Sequence, residues 1–145
     1  MSLKIFIDGA EGTTGLQLRQ RLLLHPEVKL ISINSDKRKD LNHRLEKFSE
    51  ADLIFLCLPD EESKKTVYEI NKQFGLKKLI IDASSAHRID KDWKYGFPEL
   101  NINQKSLIRD ATRITNPGCY ATGALALIRP LIDNNIIDNS ATLNI

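Results

Sequence analysis

Lys4-Ile5-Phe6-Ile7-Asp8-Gly9-Ala10-Glu11-Gly12-Thr13-Thr14-Gly15 is the stretch that decides the fold. Residues 4–7 carry β-branched and aromatic side chains and read as a short strand, and the three glycines that follow at once read as a tight turn. A helix is expected to open near Thr13, with Leu16, Leu18, Leu22 and Leu23 at roughly helical spacing. It should stop before His25-Pro26, because the residue preceding proline is pushed out of the helical region. Residues 28–33 supply the next strand. A strand, crossover helix and strand within about 30 residues imply parallel neighbours, and near-continuous apolar strands imply a sheet covered on both faces.

The pattern recurs downstream. Residues 53–58 are apolar and stop at Pro59, and Asp60 is placed to cap a helix that carries Val67, Ile70 and Phe74 on one face and ends at Gly75. Residues 78–82 form a further strand. Residues 83–112 have weak periodicity and read as extended loops with one short helix. Residues 113–115 read as a last short strand, followed by the turn Asn116-Pro117-Gly118-Cys119-Tyr120 and a helix over 121–132, in which Pro130 should cause a kink or break. Residues 141–145 look like the middle of a strand, so a further domain is expected to be absent from the chain. The expected fold is a Rossmann-like, doubly wound, mostly parallel α/β sheet over 1–115. Residues 116–145 would contribute the cysteine turn, a helix and the start of a second α/β domain.

A chain of 145 residues with 41% apolar and 28% charged content can form one domain with a real core. Its net charge of +2, without a block of like charges, gives no reason to expect a nucleic-acid or membrane-surface partner. There is no apolar run of spanning length and no signal-peptide pattern, which points to the cytosol. The two cysteines, Cys57 and Cys119, match no metal spacing, so no metal site is expected.

Gly9, Gly12 and Gly15 are spaced G-x-x-G-x-x-G rather than G-x-G-x-x-G. The physics is similar: glycines let the backbone approach a pyrophosphate, and the N–H groups and dipole at a helix start favour anions. Thr13 and Thr14 add hydroxyl donors. The ribose of a dinucleotide would lie near the end of the second strand, at Asn34-Ser35-Asp36-Lys37-Arg38-Lys39. Asp36 alone would suit the 2′-OH of NAD, whereas Lys37, Arg38 and Lys39 offer charge-assisted contacts to a 2′-phosphate. NADP(H) is therefore the expected cofactor, with Arg38 as the main reader; the alternative is a merely solvated charge run. Ser35 and Pro59 complete this set of expected contacts. Cys119, at a turn directly before an apolar helix, sits where a thiolate can be stabilised, the alternative being a small buried hydrophobe; Cys57, inside an apolar strand, reads as packing.

Four segments carry a family resemblance: Gly9 to Gly15, Asp82-Ala83-Ser84-Ser85-Ala86-His87-Arg88, Tyr95-Gly96-Phe97-Pro98-Glu99-Leu100 and Asn116-Pro117-Gly118-Cys119-Tyr120-Ala121-Thr122. Together they resemble the N-acetyl-γ-glutamyl-phosphate reductases, closest to their shorter, second type, and are similar to the aspartate-semialdehyde dehydrogenases. The resemblance implies NADPH-dependent reduction of N-acetyl-γ-glutamyl phosphate to the semialdehyde with release of phosphate, through a thioester on Cys119, in arginine biosynthesis. It also implies homo-oligomers formed through the second domain. Arg88 matches the family's arginine near the substrate, the alternative being a surface salt bridge. Ser84 is expected to contact the cofactor, and Ser85 and Asn116 the substrate, although both serines could equally cap a turn. His25, His43 and His87 do not match the family's acid/base histidine, so the chain is expected to lack a complete catalytic set. Two rival readings remain: a reductase of the one-carbon-longer aminoadipate series in lysine biosynthesis, and a non-catalytic dinucleotide-binding module.

Overall fold

The computed structural model describes residues 2–138 and 140–142. Strands β1 (Leu3–Asp8), β2 (Val28–Ile31), β3 (Leu53–Leu56), β4 (Leu79–Asp82), β5 (Lys94–Tyr95) and β6 (Arg113–Thr115) form one sheet in the order β2-β1-β3-β4-β6-β5. Every pairing is parallel, including the first, in which Leu3 faces Val28 and Phe6 faces Ile31. The helices are α1 (Thr13–Leu22), α2 (Leu41–Glu50), α3 (Asp60–Phe74), α4 (Gln104–Arg109) and α5 (Cys119–Asp133). This is the Rossmann-like α/β sheet expected from residues 4–15 and the strand and helix patterns that follow them.

Side-chain alternation divides the core in two. Phe6, Ile54, Leu56 and Ile80 point to one face, where Phe48 of α2 and Val67 and Ile70 of α3 complete a fully dry layer. Ile5, Ile7 and Leu53 point to the other, where only partly buried residues, among them Leu18 and Leu22 of α1, cover them. The two expected core positions Leu16 and Leu23 are instead exposed, and the buried residue of α1 is Gly15. That helix lies so close to the turn beneath it that only a residue without a side chain fits at the contact.

Several local expectations need correction. β2 ends at Ile31 rather than residue 33, and β3 at Leu56 rather than residue 58, because the chain leaves the sheet to form the walls of a cleft. Pro59, not Asp60, occupies the cap position of α3, and the Asp60 carboxylate instead accepts hydrogen bonds from the Ser85 N–H and hydroxyl. The segment between β2 and β3, left unassigned from sequence, contains α2, capped by Asp40, which accepts from the His43 N–H at 3.0 Å. α5 opens at Cys119, two residues earlier than expected, and Pro130 lies inside it without ending it. The expected strand over 141–145 is not formed at Ala141 and Thr142, and residues 143–145 lie outside the described residues.

α5 differs from the other long helices in having no buried residue, although it is the most apolar of them. Tyr120 and Leu127 are largely exposed. Among the described residues no helix is long and apolar enough to cross a membrane.

Candidate functional site

β1 is flanked by β2 on one side and β3 on the other, so the crossovers diverge at its carboxyl end and leave a crevice there, the position at which open α/β sheets bind ligands. A cleft of about 880 Å³ occupies that position. Gly9 and Gly12 of the turn form one wall, and Ser35, Arg38 and Lys39 of the loop after β2 form the opposite one.

The three glycines have distinct duties. Gly9 has φ +84° and a Cβ there would drive into the Cys57 carbonyl, and a Cβ on Gly15 would strike the Gly9 carbonyl and, at 2.7 Å, Ala10 Cα. Both are demanded by the fold. Gly12 is not: a Cβ there would come no closer to the protein than 3.6 Å, and its bare Cα faces the cleft. Gly12 also caps α1 with no side-chain hydrogen bond, so the first N–H groups of that helix remain available to an anion. A bare Cα with room above it, next to helix-start donors and two basic side chains, fits a dinucleotide.

At the base of the cleft is a cluster that sequence reasoning missed. The Asp8 carboxylate accepts from Arg44 Nη2 at 2.5 Å and Nε at 3.1 Å, and Nη2 also donates to Thr66 Oγ1 at 2.6 Å. Asp8 is buried and Arg44 partly so, and burial raises the Asp8 carboxyl above its ordinary value while Arg44 pulls against that shift. These bonds lock β1, α2 and α3 together beneath the ligand position. The available signal was Leu41, Leu45 and Phe48 at helical spacing behind Asp40, which would have placed Arg44 on the same helix.

A second centre lies at the ends of β4 and β6. Asp82 is fully buried; its carboxylate accepts from the Ser84 N–H at 3.0 Å and hydroxyl at 2.7 Å, and lies 2.6 Å from His87 Nδ1. Ser84 Oγ in turn accepts from the Ala86 N–H at 3.2 Å, and Trp93 stacks on His87 with ring centres 4.3 Å apart. The Ser84 hydroxyl is thus spent inside the loop, and Ser85 is held by Asp60. Arg88 makes no salt bridge among the described residues. It donates to the carbonyls of Ala83 and Asn116, both at 3.3 Å, and lies so near Gly118 that a Cβ there would be 2.6 Å from Nη1. Its remaining N–H groups stay available. Cys119, the first residue of α5, is exposed beside this guanidinium-bearing turn.

A smaller cavity of about 200 Å³ lies between α1 and the ends of β3 and β4, lined by Thr14, Cys57, Ala83 and Asn116 among others. Gly9, Gly12, Ser35 and Arg38 therefore share one cleft, Thr13 and Thr14 stand at the start of α1, Pro59 starts α3, and Arg88, Asn116 and Cys119 share the second centre.

Residues 4–108 match the family described as semialdehyde dehydrogenase, NAD binding domain. The chain belongs to this family. Semialdehyde dehydrogenase NAD-binding domains bind a nicotinamide dinucleotide, and the cleft at the carboxyl end of β1 fits one. Among curated proteins the chain is 44% identical over 142 residues to N-acetyl-gamma-glutamyl-phosphate reductase 2 of Nostoc sp., covering 98% of the chain and 43% of that protein. It is 45% identical over 137 residues to N-acetyl-gamma-glutamyl-phosphate reductase of Brucella ovis, covering 94% and 44%. The chain thus spans less than half the length of the curated relatives it matches. Among solved structures, aspartate semialdehyde dehydrogenase from Francisella tularensis aligns with a TM-score of 0.68 at 18% identity, covering 92% of the chain and 41% of that structure. Aspartate semialdehyde dehydrogenase II from Vibrio cholerae, complexed with ASA, aligns with a TM-score of 0.65 at 19% identity, covering 92% and 47%. At these identities the structural likeness speaks for the fold.

Proposed function

We propose that the protein reduces N-acetyl-γ-glutamyl phosphate to N-acetylglutamate 5-semialdehyde with NADPH in arginine biosynthesis, using Cys119 as the nucleophile. The carrying observation is the position of Cys119 at the first residue of α5, exposed and next to an arginine that retains unused donors.

In this reading Cys119 Sγ attacks the acyl carbon of the substrate, forming a C–S bond as the C–O bond to phosphate breaks and phosphate leaves with the electron pair. Arg88 holds an anionic group of the substrate through its free N–H groups, with Asn116 alongside and Ser85, whose hydroxyl proton is donated to Asp60, offering the substrate only its oxygen as an acceptor. A reduced nicotinamide dinucleotide supplies the hydride when bound. Collapse of the resulting hemithioacetal breaks the C–S bond, restores the thiolate and releases the aldehyde. The dinucleotide is held by Gly12, the Thr13 and Thr14 end of α1, Ser35 and Arg38, with Pro59 and the loop at Ser84 beyond the turn. The 2′-phosphate is read by Arg38, which supports NADPH over NADH. The domain boundary lies after residue 115, and the uncovered apolar surface of α5 supports its belonging to a second, catalytic and oligomerising domain.

The test uses the full-length protein. Cys119→Ser is expected to abolish phosphate-dependent oxidation of the semialdehyde while largely preserving dinucleotide binding, and Cys57→Ala should alter mainly stability. Turnover near the wild-type rate in the serine variant would refute covalent catalysis at Cys119.

A further inference from the structure

Arg38 already has a partner. Its Nη1 lies 3.2 Å from the Glu11 carboxylate, an ion pair that links the loop after β2 to the glycine-rich turn. Both residues line the 880 Å³ cleft, so the pair bridges its two walls. Glu11 immediately precedes Gly12, the cap of α1, so the pair ties the loop after β2 to the entry of that helix. Glu11 Oε2 and a 2′-phosphate offer the same chemistry to Arg38: anionic oxygens suited to a guanidinium fork.

We propose that Glu11 is a specificity-determining residue that competes with the 2′-phosphate of NADPH for Arg38, an inference that rests on the NADPH reading above. NADPH must exchange the carboxylate for its phosphate and gains only the difference between the two pairs. NADH leaves the Glu11–Arg38 pair intact. Glu11 therefore lowers the affinity for the phosphorylated cofactor alone, and the chain's discrimination is set by the pair and not by Arg38 in isolation.

The experiment is a double-mutant cycle in the full-length protein, with dissociation constants for NADPH and NADH measured by titration calorimetry. Glu11→Gln should tighten NADPH by about two- to fivefold, the factor that an exposed ion pair is worth, and change NADH much less. Glu11→Ala should act in the same direction, and in an Arg38→Ala background neither change should tighten NADPH. If Glu11→Gln leaves NADPH binding unchanged or weakens it while Arg38→Ala still selectively weakens NADPH, competition is overturned and the cofactor reading stands. Tightening that persists without Arg38 also overturns it. If Arg38→Ala weakens both cofactors equally, the NADPH reading fails and this inference with it.

Discussion

Two cysteines of one chain differ because of their neighbours. Burial, together with the charges of Asp8 and Asp82, pushes the Cys57 thiol up to about 11. At pH 8 roughly one molecule in a thousand would carry that thiolate. Iodoacetamide at pH 8 should therefore modify exposed Cys119 well before Cys57, as read by peptide mass spectrometry; equal labelling of the folded protein would contradict this. The sign of the pH effect on stability follows by linkage. The unfolded thiol loses its proton near its ordinary value of 9.0 while the folded one keeps it, so the contribution is fully present below about pH 9 and is lost as pH rises through about 11. Denaturation midpoints measured from pH 8 to 11 should fall for the wild type and fall less for Cys57→Ala. This contrast was legible in the sequence, since one cysteine sits in an apolar run and the other at a proline-glycine turn. The partners of Arg38 and Arg44 were not legible, because Glu11 and Asp8 are 27 and 36 residues away and only the tertiary fold brings them together.

Elements were legible where periodicity and punctuation agreed. Pro26, Pro59 and Gly75 mark real boundaries, whereas α2 escaped notice because Leu41, Leu45 and Phe48 are sparse among charged residues and only Phe48 is buried. The turn between β1 and α1 was read correctly as glycine-dependent, but spacing alone could not separate structural from ligand-facing glycines. The structure does, and the separation is measurable. Gly15→Ala should destabilise the domain by about 1–3 kcal/mol or more, since the new methyl overlaps the Gly9 and Ala10 backbone. Gly12→Ala should unfold at nearly the wild-type temperature yet bind dinucleotide on the order of tenfold more weakly, about 1.4 kcal/mol. Thermal melts and titration of the same two variants provide the check. A Gly12→Ala protein with unchanged affinity would mean that the ligand does not approach this Cα.

For the molecule as a whole, alternation of strand and helix patterns made the parallel sheet and its ligand-binding end readable in advance. The order of the outer strands was beyond reach, because β5 has two residues and β6 three, too few for a pattern to declare neighbours. That order has a consequence for how the domain assembles. β6 lies between β4 and β5, so β5 has nothing to join until a strand made later has docked. During synthesis the outer edge of β4 stays open until residue 115 has emerged, and an open edge can recruit other chains. Protection of the Gly96 amide, which donates to the Thr115 carbonyl at 2.8 Å, reports the closing of that edge. In pulsed hydrogen exchange during refolding it should appear after, or together with, the amides of β3 and β4 and never before them. Of the described strands the last to be made is the one that covers β4, which leaves the nascent protein with a window of vulnerability set by topology alone.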